Sequence, residues 1–227
     1  MQQYYIIALY KGEYFKFFMN SVIITISIIA GQVFIGIFAA YAFAKMNFRG
    51  SNILFFIYII AVLLPFQVTL VPNYLLFDMS RRILDINLLD THMAIILPGV
   101  FSSFGVFLLK QFIKGVPDEM IESARIDGAS YIRILIQVIF PVIKPAIYSL
   151  IVLTFIDNWN LLEQAVVFLD TPSKLPLSVY LENIYHDDNK VFYAGSVLYI
   201  IPALFVFLKG EKYLRDGFVT GGLLDDK

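Results

Sequence analysis

The chain of 227 residues contains no cysteine. That removes disulfides and thiolate metal ligation, and it leaves the redox compartment open. Charge is also scarce: 15% of residues are Asp, Glu, Lys or Arg, against about 25% in a soluble domain. The formal net charge is −1, so no basic excess points to a nucleic-acid partner. The two histidines, His92 and His186, lie far apart without ligand spacing, and no metal site is expected. No GxxxxGK phosphate loop occurs, so the chain is not expected to bind or hydrolyse ATP itself, and no cofactor is assigned to it. What fills the sequence instead is apolar: 59% hydrophobic and 16% aromatic residues, with mean hydropathy +0.76. Lipid is the expected solvent, and an all-α polytopic bundle follows, because helix satisfies backbone polar groups within a single segment.

A helix needs about 20 mainly apolar residues to cross the hydrocarbon core. Five windows qualify, at roughly 20–44, 53–77, 92–113, 143–168 and 191–209. None opens like a cleavable signal peptide. Lysine and arginine in short loops set the orientation. Lys45, Arg49, Lys110, Lys114, Arg125, Arg133, Lys144, Lys209, Lys212, Arg215 and Lys227 fall on one side, eleven of seventeen basic residues. The other side carries Lys11, Lys16, Arg81, Arg82, Lys174 and Lys190, and its loops include Asp78, Asp85, Asp170, Asp187 and Asp188. The C-terminus and the 114–142 loop are therefore expected in the cytoplasm of a multi-pass plasma (inner) membrane protein, with the N-terminus outside. The expected division is an extracytoplasmic segment 1–19, a transmembrane domain 20–215 and a cytoplasmic tail 216–227. Residues 1–19 offer no evident means of export. Either a preceding span is missing from the sequence, or the first helix inserts with its N-terminus outward.

The most informative segment is polar and lies between two apolar stretches. Pro117 suits the first helical position, and Asp118 and Glu119 complement the positive end of a helix. Met120, Ile121, Ala124 and Ile126 alternate with Glu119, Glu122, Arg125 and Asp127 as in a short amphipathic helix. Gly128 permits a sharp turn. A second helix, 131–139, leads to Pro141 and Pro145 at the start of the fourth span. Such a helix on a cytoplasmic face suits helix-in-groove recognition by another protein.

Glu122-Ser123-Ala124, Gly128, nine intervening residues and then Val138-Ile139-Phe140-Pro141 resemble the EAA motif, E-A-A-x-x-x-G followed by I-x-L-P. That motif marks the membrane subunits of binding-protein-dependent ABC importers. Ser123, Val138 and Phe140 depart from it mildly. Further stretches resemble the carbohydrate-importer permeases, in particular the smaller maltose-type subunit. They are Ala39-Ala40-Tyr41-Ala42-Phe43-Ala44-Lys45 with Phe48-Arg49-Gly50, Val71-Pro72-Asn73-Tyr74, Phe104 to Phe112, Asn158-Trp159-Asn160, Arg215-Asp216-Gly217 and Thr220-Gly221-Gly222. The likeness runs from about residue 17 to 222. It implies the type I permease core, usually of six spans.

The resemblance also implies a mechanism. The helix around Glu122, Ser123, Ala124, Asp127 and Gly128, with Pro141 behind it, would dock on a partner ABC ATPase dimer that binds ATP and Mg. Closure of that dimer would rock the bundle from inward- to outward-facing. A sugar or oligosaccharide delivered by an extracytoplasmic solute-binding protein would then enter, beside a sibling permease subunit. Other readings stay open: import of another solute class such as an amino acid or peptide, or a truncated scaffold that does not transport. An intramembrane enzyme is not supported by any Ser/His, Asp/Asp or His/Glu pair at helical spacing within the five windows.

Polar groups inside a span line a cavity or meet a partner. Asp157, thirteen residues past Lys144, lies about 20 Å along a helix from it. Asp157, Asn158, Trp159 and Asn160, with Glu163 a turn further on, are candidates for the translocation pathway. Equally, they fit interhelical hydrogen bonding or a broken helix at the interface with the sibling. Pro65, Pro72, Pro98 and Pro202 are expected to kink spans, and His92 to anchor the outer end of one.

Overall fold

The computed structural model describes Ile6, residues 13–187 and residues 189–223, with backbone alone for 186, 187, 189, 190 and 214–223. Among the described residues there is no strand. Helices α1 (Glu13–Lys45), α2 (Ser51–Leu63), α3 (Phe66–Leu84), α4 (Met93–Val100), α5 (Ser103–Lys114) and α6 (Asp118–Ile126) come first. They are followed by α7 (Tyr131–Val142), α8 (Lys144–Trp159), α9 (Glu163–Phe168), α10 (Leu177–Asp187) and α11 (Asn189–Leu223). Three helical stretches are long and apolar enough to cross a membrane alone: Glu13–Lys45, Met93–Lys114 and Val191–Tyr213. Two bent pairs, α2 with α3 and α7 with α8, raise the number of candidate spans to five.

The five expected windows are all helical, with different ends. The window 53–77 is two helices, because Pro65 disfavours helical backbone at Leu64 and itself caps α3 with φ −58° and ψ 137°. The window 92–113 pauses at residues 101–102. The window 143–168 is not one span: α8 stops at Trp159 and α9 starts afresh at Glu163. The cause is competition for carbonyls. The amides of Asn158 and Asn160 donate to Thr154 O (2.8 Å) and Ile156 O (3.0 Å). The Tyr199 hydroxyl donates to Trp159 O at 2.7 Å and Ser178 Oγ donates to Leu161 O. Side chains thus occupy the acceptors a continuing helix would need. Pro72, Pro98 and Pro202 lie inside helices. Helix α1 starts at Glu13, before the expected 20. Helix α11 carries the backbone to Leu223, into the expected tail 216–227, whose residues 224–227 lie outside the described set, as do 1–12 except Ile6. The side chain of His186 also lies outside it.

The chain divides into two compact units. One is drawn from the segment ending at Ala30, Leu64–Val100 and Thr154–Leu208. Its larger core gathers Ile24, Ile28, Ile95, Ala165 and Phe168, and a smaller one gathers Phe17, Leu177 and Leu181. Polar ties secure its loops. Asp90, at φ 55°, accepts from Thr171 N (2.8 Å), Thr171 Oγ1 (2.6 Å), Asp170 N (3.0 Å) and Lys174 Nζ (2.7 Å). His92 Nε2 lies 2.8 Å from Lys174 O, which ties the start of α4 to the loop before α10. The Lys174 ammonium first, and then the Thr171 hydroxyl and amide, hold the Asp90 carboxyl well below the usual carboxylate range.

The other unit is drawn from Gly31–Leu63, Phe101–Leu153 and the segment from Lys209 onward. Its core joins Ile37, Leu109, Ile113, Ile139, Ile143 and Leu150. A Cβ at Gly105 would lie 3.0 Å from the Gln32 side chain, and one at Gly210 would lie 2.2 Å from Val152 Cγ2. The helices meet at these points because no side chain separates them. Ser149 Oγ donates to Tyr213 O at 3.0 Å, and the rings of Tyr148 and Tyr213 stack at 4.4 Å.

Because folding depresses the Asp90 pKa, its contribution is present above the unfolded carboxylate value, about 4, and is lost as pH falls through the lower folded value. Asp90→Asn is expected to lower stability by about 1–3 kcal/mol near pH 7. The deficit should narrow only below about pH 4. Thermal midpoints of the detergent-solubilised protein across pH check this, and an equal deficit at every pH contradicts it.

Candidate functional site

The loop 114–142 forms a helix, a tight turn and a second helix within one unit. Helix α6 begins after Pro117, which is its N-cap rather than its first residue, with φ −56° and ψ 135°. Asp118 and Glu119 occupy the first turn, where the helix end is positive. Lys45, the last residue of α1, holds this entrance. Its ammonium donates to Val116 O at 2.6 Å and to Asp118 Oδ1 at 2.7 Å. The Lys45 side chain is only 7% exposed while that of Asp118 is 76% exposed, so the charge is carried to the surface by its partner. That hydrogen bond keeps the Asp118 carboxyl below its ordinary value.

One face of α6 packs inward through Ile121 and Ala124. The other carries Glu122, Ser123, Arg125 and Ile126 outward; Ile126 is 86% exposed. Ser123 Oγ donates back to Glu119 O at 2.7 Å, so its hydroxyl is satisfied locally at the motif position where it replaces alanine. The helix ends in a Schellman turn. Gly128 N donates to Arg125 O (3.0 Å) and Ala129 N to Ala124 O (2.9 Å), which is the paired 5→2 and 6→1 bonding of that motif. Gly128 takes φ 77° with open space around it. The spacing from Ala124 to Gly128 is therefore that of residue C3 and residue C′ of one helix end. Alanine fits at C3 because it packs against the core together with Ala129.

Ser130 then caps α7, its Oγ accepting from Arg133 N. Over Leu135–Ile139 the helix widens, with Phe140 N donating to Leu135 O. Pro141 follows immediately. It lacks an N–H and crowds the carbonyl four residues back, and the widened turn relieves that crowding. Beyond Ile143 the axis of α8 turns by 77° from α7. Pro141 thus marks the corner of the loop.

The second candidate set lies in the other unit and divides by exposure. Trp159 is 1% exposed. Its indole N–H donates to Tyr199 O at 3.1 Å, and its ring stacks on Phe155 (5.2 Å) and Tyr199 (5.6 Å). Thr25 Oγ1 donates to Asn158 O at 3.4 Å, and Asn160 Oδ1 accepts from Tyr199 OH at 3.0 Å. Glu163 lies 3.2 Å from Gln67 Nε2. Asp157 is exposed and makes no hydrogen bond or ion pair with another described residue. Sequence reading found these five but not their partners Tyr199, Gln67 and Thr25, which lie far off in sequence without a distinguishing pattern. Lys45 had a signal, since it is a lysine closing an apolar run, but its acceptors did not. Among the described residues, no cluster of three or more His, Asp or Glu side chains is placed to hold a metal ion.

Residues 32–211 match the family described as the binding-protein-dependent transport system inner membrane component. The chain belongs to that family of multi-pass membrane transport proteins. It is similar to the arabinooligosaccharides transport system permease protein AraQ of Bacillus subtilis (strain 168), at 29% identity over 92% of this chain and 74% of the relative. It is 33% identical to the osmoprotective compounds uptake permease protein GgtD of Synechocystis, over 91% of this chain and 69% of the relative. It is 31% identical to the alpha-glucoside transport system permease protein AglG of Rhizobium meliloti, over 91% and 56%. A crystal structure of a bacterial ABC transporter involved in the import of the acidic polysaccharide alginate contains a chain that superposes with TM-score 0.78. That match has 25% identity, over 93% of this chain and 78% of that one.

Gly128→Ala places a Cβ in left-handed backbone, at a cost of about 1–2 kcal/mol. Faster amide exchange at residues 128 and 129 is expected, with exchange in α8 unchanged; equal rates in both proteins contradict the turn. Trp159→Ala should destabilise the subunit by about 3–5 kcal/mol. A thermal midpoint equal to the parent's contradicts the packing described.

Proposed function

We propose that this chain is the membrane-spanning permease subunit of an ATP-driven importer that carries a sugar or oligosaccharide inward. The observation that carries this reading is the outward face of α6, Glu122 to Gly128, offered on a helix fixed at both ends, in a chain of the binding-protein-dependent family. An ABC ATPase dimer docks there, binds ATP and Mg, and transmits its closure through α6 to the spans. The loop 114–142 and the C-terminus then face the cytoplasm, in keeping with eleven of seventeen basic residues on that side. A sibling permease and an extracytoplasmic solute-binding protein complete the assembly. Hydrolysis belongs to the ATPase, since this sequence has no phosphate loop.

The choice of a sugar rests on the relatives, whose names give arabinooligosaccharides and alpha-glucosides, and on the alginate-importing structure. Within the candidate pathway set, Asp157, Asn160 and Glu163 are exposed and can meet solute hydroxyls. Trp159 supports them from behind, because its indole is already committed.

The test is copurification of the ATPase with the native and variant subunits, then uptake of labelled arabinotriose or maltose by proteoliposomes holding the complex and its binding protein. Glu122→Lys is expected to leave the subunit inserted, to weaken ATPase recovery and to cut uptake about tenfold or more, as for a central interface charge. Unchanged recovery and uptake in Glu122→Lys overturn the docking role. Uptake of sn-glycerol 3-phosphate but of neither sugar overturns the solute class.

A further inference from the structure

A charge is buried where α1 meets the entrance of α6. Lysine is almost never fully buried unless it is paired, and the Lys45 side chain, on the last residue of α1, is 7% exposed. Its ammonium has three donors, and three acceptors take them: Val116 O at 2.6 Å, Asp118 Oδ1 at 2.7 Å and Lys114 O at 3.5 Å. Two of these are backbone carbonyls at the end of α5 and just past it. The end of α1 is therefore tied to the path of the chain, and not only to a side chain that can swing away. Beside this tie, Ile37, Ala40 and Tyr41 of α1 share one core with Val116 and with Ile121 of α6. Apolar contact is non-directional and lets helices slide; the ammonium fixes where α1 sits against the entrance. A buried charge left without its partner is strongly destabilising, so Lys45 follows its acceptors when they move.

We propose that Lys45 is a positioning residue for coupling: when a docked ATPase displaces α6, the Lys45 ammonium draws the end of α1 with it. The inference rests on the docking role of α6 and adds to it the span that receives the motion. Helix α1 runs for 33 residues without a break. The same helix meets the candidate pathway set, since Thr25 Oγ1 donates to Asn158 O at 3.4 Å. Both sets of bonds thus fall on one span.

The experiment uses the whole complex in nanodiscs, with permeases, ATPase and binding protein. It reads amide hydrogen exchange without nucleotide and after trapping the ATPase with ATP and vanadate. In the native chain, trapping is expected to change exchange about fivefold at residues 40–45 as well as at 118–126. Lys45→Met keeps the apolar stem and removes the donors. In that variant the change at 118–126 should remain and the change at 40–45 should disappear. A merely structural clamp would alter the resting exchange of both segments without separating their responses to trapping. Asp118→Asn alters a side chain 76% exposed and so tests the same link without disturbing the core. It should cut the change at 40–45 to about twofold, because a neutral acceptor holds the ammonium less strongly than a carboxylate. A change at 40–45 that persists in Lys45→Met, or is undiminished in Asp118→Asn, overturns the proposal. So does a native chain in which 118–126 responds and 40–45 does not. No response at 118–126 in the native complex would instead overturn the docking role, and this inference with it.

Discussion

In a lipid environment each backbone N–H and C=O must find a partner within the protein, and the rest of this structure answers to that demand. Long helices meet it without help. The interruptions meet it with side chains. At the end of α8, the carbonyls of Trp159 and Leu161 are taken by the hydroxyls of Tyr199 and Ser178. Asn20 Nδ2 donates to Ser173 O and Leu175 O, and Ser21 Oγ accepts from Leu177 N, which closes the backbone between α9 and α10. Three of the buried polar residues of α1, Asn20, Ser21 and Thr25, are therefore the means by which one span lets another stretch of chain stop being helical.

The same demand shapes the loop 114–142. The carbonyl of Val116, just past the end of α5, receives the Lys45 ammonium. The last carbonyls of α6 are closed by Gly128 and Ala129. The missing donor of Pro141 is absorbed by a widened turn. A helix terminated at both ends by specific bonds can be displaced without unwinding, which the docking role proposed for α6 requires. Here fraying is opposed by a side chain only 7% exposed at one end and by a backbone conformation that favours glycine at the other.

Much of this was legible in advance, for identifiable reasons. Spans are legible because apolar runs are long, and the loop because Ala124, Gly128 and Pro141 each have a local backbone role at fixed spacing. Helix breaks at Pro65 were legible as kinks but not as terminations, since Pro72 and Pro202 lie inside helices with the same chemistry. Whether a proline ends a helix depends on what accepts the freed carbonyls, and that is a tertiary fact. The end of α8 was misjudged for the same reason: it is set by Tyr199 and Ser178, which lie 40 and 17 residues from their acceptors. The Lys45 clamp reaches 71 residues along the chain, beyond any periodicity.

Trp159 shows where composition misleads about sites. An indole between two asparagines in a span reads as a surface for a sugar ring, yet its faces are covered by Phe155 and Tyr199 and its N–H is spent on a carbonyl. Its neighbours Asp157 and Asn160 remain exposed. Asn160 is fixed by its own bonds to Ile156 O and to Tyr199, and Asp157 precedes the break without an ion pair or hydrogen bond among the described residues. An ionised carboxylate only accepts hydrogen bonds, and the carbonyls of a helix end are acceptors too, so they cannot serve it. Its partner must bring a donor, as a hydroxylated solute or a neighbouring subunit would, and the pathway role proposed for Asp157 does not depend on an open indole face.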